Sequence, residues 1–143
     1  MKRSSAALCA VLCAALVQMP AQAVTASVLP LVLIDGTWAV TRLSSGQTMP
    51  RGVHSVLNFV GGKLTGNTAC NAVMGRYTQS GDTVGFVGLA STRKFCAPPV
   101  DGIETLILKS LGGAQKAYVY GPIGQRSLRL SGSGGTLYLV KQR

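Results

Sequence analysis

Apolar and polar residues alternate in short runs along most of this chain, and glycine clusters mark the breaks between runs. The last two runs are the clearest. Leu128, Leu130, Leu137 and Leu139 fall on one side, Arg129, Tyr138 and Val140 on the other. A period of two is the mark of a strand with one buried face. Strand-like runs cover residues 38–43, 55–60, 63–67, 74–79, 83–88, 89–95, 117–121, 127–130 and 136–140. Gly61-Gly62, Ser80-Gly81-Asp82, Gly112-Gly113, Gly121-Pro122 and the glycines from Gly132 to Gly135 separate many of them. Short strands joined by tight turns predict a meander that closes into a barrel or a curled sheet. The expected fold is mostly β, a small barrel-like antiparallel sheet of about eight strands with one packed helix.

That helix is predicted where the alternation fails, in PPVDGIETLILKSLGG. Val100, Ile103, Ile107 and Leu111 recur at helical spacing, and Pro98 and Pro99 stop the preceding strand. Gly112-Gly113 supplies a C-cap. About three turns are expected, packed across one end or the open side of the sheet. Glu104 falls inside the apolar stripe, close to Ile107 and Leu111. A buried carboxylate needs a partner. Asp101 and Glu104 have the spacing of a capping box, and Arg93 or Lys94 lies shortly upstream. A catalytic or ligand-binding acid is the functional alternative. A buried ion pair between Arg93 and Glu104 is expected, joining the strand before the prolines to the helix.

The first residues, MKRSSAALCAVLCAALVQMPAQA, change the picture of where the protein lives. Lys2 and Arg3 precede an apolar run, Pro20 breaks it, and Ala21-Gln22-Ala23 is a cleavage signal. Residues 1–23 are therefore expected to be a signal peptide, since the run is shorter than the about 20 residues that span a bilayer. Leu8 and Leu12 directly precede Cys9 and Cys13, which is not a lipobox, so no lipid anchor is expected. Residues 24–34 read as a loose leader and 35–143 as a single domain. Of the 14 basic residues, Lys2 and Arg3 leave with the signal; the remaining 12 against 4 acids give +8. This excess favours contact with anionic surfaces. Nucleic acid is not expected as a partner, because no basic stripe interleaved with aromatics is visible along the sequence.

Little in the chain points to catalysis. His54 is the only histidine. A thiol nucleophile at Cys70 with His54 as base would need a reduced cysteine. The cysteine spacing matches no zinc motif, the four acids are scattered, and GGKLTGNT lacks the P-loop order. Neither catalytic, cofactor-binding nor metal-binding residues are assigned, and no cofactor is expected. In an oxidising compartment Cys70 and Cys96 are expected to form a disulfide. The stretch TGNTACN, 65–71, then reads as a corner: Asn67 and Asn71 shape a turn that presents Cys70.

LTGNTACNAVMGRY, GLASTRKFC and ETLILKSL, in that order, resemble the META domain, also called the HslJ-like domain. Gly66, Cys70, Asn71, Gly75 and Tyr77 match its first motif. Leu89, Ala90, Thr92, Arg93 and Cys96 match the second, and Glu104 with Leu111 the third. GTWAVTRL is similar to the family's opening, and the likeness runs from Asp35 to Lys141. The resemblance implies a small β barrel with one helix, usually exported, linked to envelope stress and without a known enzymatic activity. Gly66, Asn67, Asn71, Gly75, Thr92, Arg93 and Glu104 are its expected structural residues. The function expected is that of an exported, periplasmic, monomeric, non-enzymatic protein that binds an envelope protein or a small apolar ligand. A thiol-dependent hydrolase using Cys70, or an inhibitor acting through the loop 44–54, is the alternative.

Overall fold

A computed structural model describes residues 33–44 and 46–143. The predicted signal peptide and residues 24–32 of the leader lie outside the described residues. The chain forms β1 (Gly36–Leu43), β2 (Val56–Val60), β3 (Lys63–Asn67), β4 (Ala72–Ser80), β5 (Thr83–Ser91), α1 (Val100–Leu111), β6 (Ala114–Tyr120), β7 (Ser127–Gly132) and β8 (Gly135–Lys141). The eight strands run in sequence order as a closed antiparallel barrel, β8 pairing back onto β1. Closure leaves no free sheet edge.

Two predicted strands, 83–88 and 89–95, are one. Between Met74 and Arg76 the β4–β5 register shifts, so that Met74 faces Ala90 and Arg76 faces Val87. Gly88, at φ +62, is the extra residue of this bulge. The strand bends there and ends at Ser91, while residues 92–97 leave the ladder. β6 begins three residues before the predicted run, immediately after Gly113. The helix has its predicted length of about three turns, but the capping-box alternative for Asp101 and Glu104 is not formed. Pro99 is the N-cap and makes no side-chain cap bond, and the Asp101 carboxylate accepts from the Gly102 amide instead, at 2.7 Å. There is thus no capping box with Glu104.

Alternation does what it predicts. Leu128, Leu130, Leu137 and Leu139 point inward, alongside Trp38, Leu57, Phe59, Leu64 and Val84. Phe59 lies edge-on to Tyr77, with ring centroids 5.4 Å apart, and tilts against Phe86 at 6.0 Å. Ile103, Ile107 and Leu111 of α1 join the same core, and the helix packs on β7 and β8. The core also takes in Ile34, whose carbonyl accepts from the Trp38 indole N–H at 2.7 Å. Side chains therefore fill the barrel.

The outer face carries an arrangement that linear reading missed. Arg42 pairs with Tyr138, Tyr138 with Arg129, and Arg129 with Tyr118, across β1, β8, β7 and β6. The Arg42 guanidinium stands 4.1 Å over the Tyr138 ring and that of Arg129 4.4 Å over Tyr118. A basic stripe interleaved with aromatics does exist. It is built by strand register, which brings Arg42 of the first strand beside Tyr138 of the last, so no run along the sequence displays it.

Candidate functional site

β3 must stop and reverse between Asn67 and Ala72. The Thr68 amide donates to the Asn71 carbonyl at 2.8 Å, and the Asn67 side-chain oxygen accepts from the Ala69 amide at 3.4 Å. Ala69 sits at φ 86, a conformation that costs an L-residue about 1–2 kcal/mol. The Ser55 hydroxyl donates to the Asn67 carbonyl at 2.7 Å and pins the corner from the side. Gly66 is required by contact: a Cβ there would lie 2.1 Å from the Val56 carbonyl oxygen. Gly75 faces the bulge, where an added Cβ would meet Leu89 Cδ2 at 2.8 Å.

Asn71, 3% exposed, is the hub. Its Oδ1 accepts from the Thr92 hydroxyl at 2.8 Å and the Lys94 amide at 2.7 Å. Its Nδ2 donates to Glu104 Oε2 at 2.8 Å and to the Lys94 carbonyl at 3.3 Å. Every hydrogen-bonding position of the amide is thereby used. Thr92 also accepts from the Ala72 amide at 3.0 Å, so the loop is tied twice to the start of β4. One side chain joins the corner, the loop 92–96 and the helix.

Glu104 is 9% exposed and takes its other bond from Thr68, whose hydroxyl lies 3.1 Å from Oε1. The expected ion pair with Arg93 is absent: Arg93 is exposed, and the salt bridge found among the described residues joins Lys116 and Asp82. The carboxylate is satisfied by a hydroxyl and an amide, which leaves Arg93 free to stay hydrated. Thr68, fully buried, was missed by sequence reasoning. Its signal was present, since it is the hydroxyl that follows the strand, between the two asparagines of TGNTACN.

Cys70 and Cys96 form the expected disulfide, with Cα atoms 6.2 Å apart. Cys96 Sγ lies 3.4 Å from Asn71 Nδ2 and 3.5 Å from Glu104 Oε2. Cys70, Cys96 and Glu104 place their ligand-type atoms within 4.8 Å of one another. Joined to each other, the sulfurs offer neither thiolate ligand nor nucleophile. His54 is exposed.

An open groove of about 610 Å³ runs over this cluster, floored by Asn71, Cys96 and Glu104 and edged by Arg93, Lys94 and Phe95. Phe95 is 92% exposed. The arrangement pins a loop and presents the bare Phe95 directly after two cations, Arg93 and Lys94.

Elsewhere, the Tyr77 hydroxyl donates to the Asp35 carboxylate. Burial, and then the Asp35 bond, raise the tyrosine pKa to about 12.

Two solved structures share the fold. An NMR structure of a protein from Burkholderia xenovorans aligns with a TM-score of 0.62 at 20% identity, covering 76% of this chain and 82% of that one. A second NMR structure aligns with a TM-score of 0.59 at 21% identity, covering 76% and 91%. No curated protein matches the sequence. The META domain family matches residues 31–143, which include both halves of the Asn71–Glu104 cluster and all eight strands. The chain belongs to the META domain family.

Proposed function

We propose that this chain is a non-enzymatic protein of the cell envelope, exported by its first 23 residues and active under envelope stress. In this reading it binds a partner protein through the loop 92–96. One observation carries the proposal. The buried side chains of Asn71 and Glu104, with Thr68, Thr92 and the disulfide, are committed to fixing a loop whose one large apolar residue, Phe95, is left bare. A rigid loop loses little conformational freedom on binding, and an exposed aromatic preceded by Arg93 and Lys94 is the kind of anchor that carries interface energy. The alternative of an apolar ligand held inside the barrel is less favoured, because large side chains occupy that space.

The test is a photo-crosslinking amino acid at position 95, introduced in cells that export the protein. A defined crosslinked partner is expected, and it should disappear when the probe is moved to the exposed Val60 on β2. Equal crosslinking from both positions, or saturable fatty-acid displacement by the purified protein, would reject the loop as the working surface.

A further inference from the structure

The Asn71–Glu104 cluster lies at the end of the barrel where β3 finishes and β4 starts. Because strands alternate in direction, the β6–β7 connection, 121–126, is at the opposite end, beside the start of β1 and the finish of β8. Ile123, on that connection, is 90% exposed. It lines a groove with Arg126, Lys141 and Arg143. The Lys141 ammonium donates to the Asp35 carbonyl at 3.1 Å, which holds it at the rim. Tyr120 and Val140, both exposed, lie in one cross-strand row through Ser127. The next outward row is the Arg42–Tyr138–Arg129–Tyr118 ladder.

Carboxylates offset these cations only in part. Asp82 is paired with Lys116 at 2.8 Å, and Asp35, which accepts from the neutral Tyr77 hydroxyl, is a single anion against Arg126, Lys141 and Arg143. Asp101 and Glu104 line the groove at the other end.

We propose that this end of the barrel docks on an anionic phospholipid membrane. Ile123 enters the headgroup–acyl boundary, Arg126, Lys141 and Arg143 meet the phosphates, and the tyrosines lie at the interface. A bare aliphatic tip ringed by cations matches a surface that is charged outside and apolar just beneath. Tyrosine and arginine suit that depth, since each has an apolar body and a polar end. A nucleic acid or acidic glycan would use the cations but gain nothing from Ile123. The Tyr138 and Tyr118 faces are already covered by guanidinium groups, so they are poor platforms for stacked bases.

Co-sedimentation of the exported protein with phosphatidylcholine vesicles, with and without about 30% phosphatidylglycerol, tests this. Binding is expected to the anionic vesicles only and to weaken with salt. Ile123→Ser should lower partitioning about ten-fold, and Arg126→Ser with Arg143→Ser about five-fold per charge. Arg51→Ser, in the connection at the far end, should bind as wild type. The proposal is overturned if anionic vesicles are not bound, if neutral vesicles bind equally, or if Arg51→Ser weakens binding as much. It also falls if the arginine variants lose binding while Ile123→Ser does not, because a soluble polyanion such as an oligonucleotide would then be the better partner. Unchanged melting temperatures in the variants keep loss of fold out of the comparison.

Discussion

Asn71 is the residue on which the corner, the loop and the helix depend. Truncation in Asn71→Ala leaves Glu104 short of a donor and frees Lys94, and should cost about 3 kcal/mol in denaturant melts. Glu104→Gln should be milder, about 1–2 kcal/mol. The new amide can face Thr68, whose hydroxyl can turn to accept, while its carbonyl keeps the Asn71 bond. Loss of one partner from a buried ion pair would cost about 3–5 kcal/mol, so the two arrangements separate in one experiment. Arg93→Ala, at an exposed position, should lie within about 0.5 kcal/mol of wild type. Glu104 was legible as buried from its place in the helical stripe. Its partners were not, because hydroxyls and amides carry no charge signal in a sequence and the nearest cations attract attention first. Tyr77 gives a pH signature. Its pKa is raised to about 12 in the folded protein, against 10.0 ordinarily. Above the unfolded value the unfolded chain binds fewer protons than the folded one, so stability is full below about pH 10 and falls toward pH 12. Tyr77→Phe should flatten that alkaline slope in urea titrations.

Among the elements, the β3–β4 corner is the most constrained. Its disulfide closes a loop with a sequence separation of 26. Replacing Cys70 by Ser should therefore destabilise by about 3–4 kcal/mol, read as a lower urea midpoint. Gly66→Ala drives a methyl group into the Val56 carbonyl. It should cost more than about 3 kcal/mol or prevent folding, with β2 and β3 the first to separate. The strands were legible where one face alternates cleanly, as in β7 and β8. They were misdivided at Gly88, since a bulge inserts one residue and inverts the pattern beyond it. The capping-box alternative failed for a different reason: Asp101 resembles an N-cap, but Pro99 already stands at that position.

For the whole molecule, the sequence carried the barrel in its alternation but not its outer face. The Arg–Tyr ladder depends on which strands become neighbours, and composition alone does not order them. The filled interior predicts that an apolar dye will show no saturable binding to the folded protein, as followed by fluorescence titration. Closure of the ring has a temporal consequence. The Thr41 hydroxyl bonds the Tyr138 carbonyl across 97 positions, and Trp38 pairs with Lys141 in the final strand. A chain made or threaded through a membrane from its N-terminus exposes β1 long before its second neighbour exists. During that interval the chain is an open ribbon with two sticky borders, well suited to passing through a narrow channel and vulnerable to association with its own kind. The last strand acts as a latch, and the indole of Trp38 reports when it shuts.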